Sequence, residues 1–171
     1  MLCRLTILLL MVIPGMLLVG CGDKSEPAPE QTGQMNAGSK AINKLLEGDG
    51  AGKKVVTTVT GLQYLDLKVG TGSQPKTGQT CTTHATLMLL DGTKVWSSRD
   101  PSTDGRVTPF DFVIDGGQVI PGWNEGVSTM KKGGMRRLAI PSDIGYGEAG
   151  RPPAIPGGAT LIFEIELLAI N

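Results

Sequence analysis

The sequence is poor in several residue types, and each shortage narrows its chemistry. It holds one histidine and three cysteines in 171 residues, with no Cys-x-x-Cys and no His-Glu-x-x-His spacing. The ligand sets that hold structural or catalytic zinc are therefore not there, and no metal or other cofactor is expected. Sixteen basic residues balance sixteen acidic ones, with the two signs interspersed. A nucleic-acid partner is not expected, because phosphate binding needs a basic face. No apolar run reaches the roughly 20 residues of a comfortable transmembrane helix. The stretch Leu5 to Leu18 is too short and is interrupted by Pro14 and Gly15.

What stands in that stretch reads as an address. Arg4 gives a positive start, and Leu18-Val19-Gly20 leads to Cys21, so residues 1–20 have the charge and small-residue flanks of a cleaved secretory signal. Leu-Val-Gly-Cys resembles the bacterial lipobox, in which the cysteine is acylated and becomes the mature N-terminus. The alternative is an ordinary signal peptide followed by an incidental cysteine. Two or three acyl chains on Cys21 would anchor stably, since each buried CH₂ contributes ~0.8 kcal/mol. The expected location is extracytoplasmic, on the periplasmic side or cell surface of a bacterial membrane. With Cys3 removed and Cys21 acylated, Cys81 is left as the single thiol, which excludes an intramolecular disulfide. Cys81 lies in an alternating pattern and is expected to pack as a small buried hydrophobe.

Residues 22–40 contain Pro27, Pro29 and several Gly, Ser and Gln, with almost no bulky apolar groups. Such a segment cannot bury enough surface to offset ordering and reads as a stalk. Ala41 to Glu47 has the pattern of one or two helical turns, which Gly48, Gly50 and Gly52 end; it is assigned with the stalk to a tether over 21–52. From Lys53 the period becomes two. Val55, Thr57 and Val59, then Leu62, Tyr64 and Leu67, then Cys81 to Leu90 read as antiparallel strands, and Leu90-Asp91-Gly92-Thr93 is a hairpin signal. Phe110, Phe112 and Ile114 mark a strand with an aromatic face. Pro121-Gly122 opens a short helix with Trp123, Val127 and Met130 at helical spacing, ended by Gly133-Gly134. Arg136 to Ile140 and Ala159 to Ile170 are further strands, separated by a Gly- and Pro-rich loop over 145–158. Many strands with one short helix argue for an α+β domain over 53–171.

Within that domain a set of fragments occurs in fixed order: Asp91-Gly92-Thr93, Ser97-Ser98-Arg99, Pro109-Phe110, Gly117-Gln118-Val119-Ile120-Pro121-Gly122-Trp123, Ile140-Pro141, Tyr146-Gly147, Ile155-Pro156 and Ala159-Thr160-Leu161-Ile162-Phe163-Glu164. Together they resemble the FKBP family of peptidyl-prolyl cis-trans isomerases, over essentially all of residues 60–170. The resemblance implies a bent antiparallel sheet wrapped around one short helix, with the substrate pocket between them. Carried over position by position, it puts Phe110, Val119, Ile120, Trp123, Tyr146, Ile155 and Phe163 around a substrate proline, with Trp123 as the floor. It also implies that the Ile120 N–H and the Tyr146 hydroxyl bind substrate carbonyls. Catalysis is thus assigned to Tyr146, Ile120, Trp123 and Phe163. His84 reads as a structural histidine.

The chain departs from the family on the hairpin. Where the family usually has tyrosine, phenylalanine and aspartate, this chain has Ala85, Val95 and Trp96, and Pro101 stands where a partner arginine is frequent. Val95 and Trp96 are assigned to the substrate-binding wall, with Trp96 expected opposite Ala85, exchanging volume across the hairpin. If the longer loop over 102–108 folds back, Asp100 or Asp104 takes the missing carboxylate's place. Arg151 and Ala154 fall in the loop over the pocket. The expectation is a monomeric isomerase acting on proline-containing chains of secreted or envelope proteins. The alternatives are an FKBP-fold module that holds such chains with weak or no catalysis, and a purely structural envelope lipoprotein.

Overall fold

The computed structural model describes residues 42–44 and 53–171. The leader, Cys21 and most of the segment read as tether lie outside the described residues. Seven strands form one antiparallel sheet: β1 (Val56–Thr57), β2 (Gln63–Lys68), β3 (Thr80–Leu89), β4 (Lys94–Ser97), β5 (Phe110–Val113), β6 (Met135–Ile140) and β7 (Leu161–Ile170). Their order is β1-β2-β6-β7-β3-β4, with β5 also paired to β3. The helix α1 (Pro121–Ser128) connects β5 to β6.

The long strand β3 organises the sheet. One edge runs along β7 from Cys81↔Ile170 to Leu89↔Leu161. Its other edge is shared, with β5 on Thr80 to Thr83 and β4 on Thr86 to Met88. The expected hairpin joins β3 to β4: Gly92 has φ 86° and the Asp91 carboxylate accepts the Thr93 N–H at 2.8 Å. Such a left-handed glycine in a two-strand connection keeps the flanking strands in register.

Alternation along β3 and β7 sends Cys81, Ala85 and Leu87, with Leu161, Phe163, Ile165 and Leu167, to one face. There they pack with Trp123 and Val127 of α1. The approach is close because Gly126 has no side chain: a Cβ at that position would lie 2.6 Å from Leu138 Cδ1 of β6. Arg136 fastens the same contact. Its buried guanidinium donates to both Asp66 oxygens at 2.7 and 3.0 Å, to the Gly126 carbonyl at 2.8 Å and to Thr129 Oγ1 at 2.6 Å. It also lies 4.0 Å from the centroid of the Tyr64 ring.

The outer face has its own apolar patch, Leu65, Ala139 and Ile162, with Ile42, Val55, Leu67 and Met88 packed against it. Residues 42–44 are helical, so a residue read as part of the tether makes a contact on the domain. Val59 is fully exposed, outside β1. Cys81 is buried and free, and burial pushes its thiol pKa up.

Candidate active site

Between α1, the sheet and the loop over 145–158 lies a cleft of about 900 Å³. Phe110, Val119, Ile120, Trp123, Tyr146, Ile155, Phe163, Val95 and Trp96 all line it, so every candidate substrate contact borders one space. Five of the chain's seven aromatic residues are among them. Four of the five form a chain of edge-on contacts: Trp96 to Phe110 with centroids 6.1 Å apart, Phe110 to Trp123 at 5.9 Å, and Trp123 to Phe163 at 4.6 Å. Edge-to-face pairs at such spacings fix ring orientation and add ≈ 0.5–1.5 kcal/mol each beyond area burial.

Two segments hold the polar edge of the cleft. The connection from β5 to α1 is pinned at both ends. Gln118 Oε1 accepts the Val113 N–H at 2.7 Å, and Asn124 Oδ1 accepts the Asp115 N–H at 2.9 Å. The Thr77 hydroxyl, and then Asn124, hold the Asp115 carboxyl below its ordinary pKa. Ile120 follows as the N-cap of α1, with Pro121 at the first helical position. Proline there gives up no hydrogen bond, since the first N–H groups of a helix are unpaired in any case. The Ile120 N–H has no acceptor among the described residues.

The second segment is the loop carrying Tyr146. Its entry is a single 3₁₀ turn, Ser142–Ile144, whose Ser142 carbonyl accepts the N–H groups of Gly145 and Gly147, both at 2.9 Å. Farther on, Arg151 and Ile155 exchange backbone hydrogen bonds at 2.8 and 3.0 Å, closing a tight loop through Pro152, Pro153 and Ala154. Gly150 permits this closure, with φ +62° and backbone atoms of Ile155 and Pro156 only 2.5 Å from where a Cβ would sit. The Tyr146 hydroxyl has no partner among the described residues. The buried Trp123 Nε1 also has no acceptor among the described residues.

Two expectations for the hairpin wall are corrected. Trp96 pairs with Leu87, not Ala85, and a one-residue bulge follows between Leu87 and Met88. Ala85 is buried in the core beside Ser98, whose Oγ accepts the Ala85 N–H at 2.9 Å. Trp96 therefore fills no volume left by Ala85; it lies half-exposed at the rim, edge-on to Phe110. Nor does either aspartate replace the missing carboxylate. Asp100 pairs with Lys94 at 2.8 Å, and Asp104 accepts from Ser102 and Arg106; neither lines the cleft. His84 Nδ1 is hydrogen-bonded to Ser98 Oγ at 3.0 Å and stands apart from the cleft lining.

Leu87, Pro152 and Pro153 also line the cleft, beside Gly117, Gln118, Arg151 and Ala154, and were not singled out from sequence. Leu87 had a usable signal, since it alternates with Ala85 on β3 and faces Phe163 across the ladder. The two prolines had none, because only loop closure turns them toward the cleft.

Comparison with known proteins is consistent across three levels. The family profile described as FKBP-type peptidyl-prolyl cis-trans isomerase matches residues 71–168. The chain is 47% identical over 115 residues to FK506-binding protein 4 of Dictyostelium discoideum, covering 67% of this chain and 30% of that one. It is 46% identical over 110 residues to an FK506-binding protein of Neisseria meningitidis serogroup B, covering 64% and 96%. It superposes on the crystal structure of FkpA from Escherichia coli with a TM-score of 0.61 at 36% identity, covering 78% and 59%. The matched region is thus under a third of the Dictyostelium protein but nearly all of the Neisseria one. With the profile spanning more than half of the sequence and an antiparallel sheet closed on a short helix around one cleft, the chain belongs to the FKBP-type peptidyl-prolyl cis-trans isomerases.

Proposed function

We propose that this protein is a lipid-anchored, extracytoplasmic isomerase that speeds rotation about X-Pro bonds in secreted or envelope proteins, acting as a monomer through its aromatic cleft. The observation that carries the proposal is the pairing of an apolar, ring-lined cleft with two free donors at its edge, the Ile120 N–H and the Tyr146 hydroxyl.

The chemistry needs little more. A planar X-Pro amide is stabilised by resonance, with charge separated between oxygen and nitrogen, and rotating it costs ~18–20 kcal/mol. The twisted transition state has lost that conjugation and is less polar across the C–N bond. A dry cleft therefore penalises the planar ground state more than the twisted form. Trp123 forms the floor on which the pyrrolidine ring packs, with Phe163 and Phe110 beside it. The Ile120 N–H holds a substrate carbonyl, and the Tyr146 hydroxyl donates to a second as the bond turns. No nucleophile or proton transfer takes part. Uncatalysed isomerisation takes tens of seconds, so a millisecond step asks for about 10⁴, or roughly 5.5 kcal/mol of differential stabilisation.

The setting rests on the sequence around Cys21, which supports acylation after removal of residues 1–20. A second reading, a module that holds proline-containing chains with weak or no turnover, is favoured by the half-exposed Trp96, an additional apolar surface at the rim. Exchange NMR on a proline peptide at substoichiometric protein separates the two: the proposal expects cis-trans exchange to accelerate, whereas binding without acceleration rejects it in favour of the module. For the anchor, Cys21→Ser is expected to release the protein from membranes or to leave an unprocessed precursor. Normal processing with unchanged membrane partitioning would reject lipidation.

A further inference from the structure

We infer that Arg151 sets the substrate preference of the cleft, favouring chains with an aspartate or glutamate next to the proline; the inference rests on the isomerase reading above. Of the sixteen residues lining the cleft, Arg151 is the one with a formal charge. Its guanidinium has no acidic partner among the described residues. The carboxylates that are paired serve other cations: Asp66 holds Arg136, Asp100 holds Lys94, Asp104 holds Arg106, Glu164 holds Arg137 and Glu166 holds Arg99. The two acids nearest Arg151 in sequence, Asp143 and Glu148, make no ion pair with it.

Position makes this cation more than a solvated surface charge. The reciprocal backbone bonds between Arg151 and Ile155 fix where its side chain begins, at the mouth of a cleft otherwise lined by apolar and uncharged groups. Ile155, four residues on, is buried in the same cleft wall. A polypeptide whose proline enters between the rings must bring its flanking residues past this loop. An acidic flank then meets an unpaired cation, and a basic flank meets a like charge. Apolar walls beside the charge strengthen both effects, while exposure to solvent limits them.

The test compares peptides of one length carrying Glu, Leu or Lys immediately before, or immediately after, a single proline. Turnover is read by exchange NMR as kcat/KM, and binding by quenching of tryptophan fluorescence. At low salt the wild type is expected to favour Glu over Lys at one flank by roughly two- to twentyfold, the combined range for one exposed attraction and one exposed repulsion. The ratio should shrink above ~0.15 M salt, where charges farther apart than about 8 Å are screened. Arg151→Glu should invert the order and Arg151→Lys should keep it. Turnover of the Leu peptides with a Glu to Lys ratio of one at both flanks would overturn the inference and leave the isomerase reading standing. Absence of turnover on every peptide would reject that reading instead, and the binding series would still decide the role of Arg151.

Discussion

At the scale of single residues, the proposed mechanism divides the labour of the cleft between rings that exclude water and donors that take a substrate carbonyl. Tyr146 is where the division can be measured, because its hydroxyl has no partner to lose on the protein itself. Tyr146→Phe keeps the ring against the core and removes the hydrogen bond that the proposed mechanism makes preferentially in the transition state, worth ~1–3 kcal/mol. The catalysed rate on a Leu-Pro peptide is expected to fall about five- to hundredfold, with the melting temperature little changed. A rate within twofold of wild type would mean that the hydroxyl takes no part. The positions of Tyr146, Trp123 and Phe163 could be read from sequence because each is embedded in an ordered run of characteristic neighbours. Trp96 could not be placed, because a bulge of one residue decides whether it pairs with Leu87 or with Thr86, on the opposite face of the strand. Nothing in a strand's alternation announces such a bulge.

At the scale of elements, the domain depends on holding α1 against β6, and Arg136 carries much of that contact through one carboxylate, one carbonyl, one hydroxyl and one ring. Arg136→Ala strands the Asp66 carboxylate beside an emptied space and frees the Gly126 carbonyl. Asp66 is a third exposed, so water takes up part of the stranded charge, and losing the charged hydrogen bonds costs about 1.5–3 kcal/mol. Urea denaturation should register that loss as a lower midpoint. Adding Asp66→Asn to Arg136→Ala should recover part of it, since an amide carries no stranded charge. If the double substitution is no more stable than the single one, the pair is not the source of the effect. The strands and α1 were legible from their two periods, whereas this network was not. Asp66 and Arg136 lie 70 residues apart, and no local pattern marks an arginine for burial. The sharing of one edge of β3 between β4 and β5 was hidden for the same reason, since pairing across a long loop leaves no trace in alternation.

At the scale of the whole molecule, the question is where the isomerase domain begins. Composition argues for Lys53, because the preceding segment is rich in Gly, Pro and polar residues. Packing adds a contact upstream: Ile42 rests on Leu65, Ala139 and Ile162, the outer patch of the sheet. Alternation in β7 gives no warning of it, since Ile162 falls on the same side of the strand as Glu164 and Glu166. The two observations together predict a graded outcome. A chain begun at Lys53 keeps the inner core, in which Val127, Leu138, Ile140 and Ile165 are fully buried, and should still unfold in one cooperative transition. It loses the cover over the outer patch. Partial burial of one Ile against that patch contributes on the order of 1 kcal/mol, which for a domain of this size lowers Tm by roughly 3–6 °C. Ile42→Asp in the longer chain should reproduce most of that shift, tying it to one side chain and not to shortening. Calorimetry on the two chains and the variant decides between three outcomes. A broad, non-cooperative melt from the Lys53 chain would move the domain boundary upstream. An unchanged Tm in both cases would mean that the Ile42 contact adds nothing. A matched fall in both would make the segment around Ile42 a cover for the sheet.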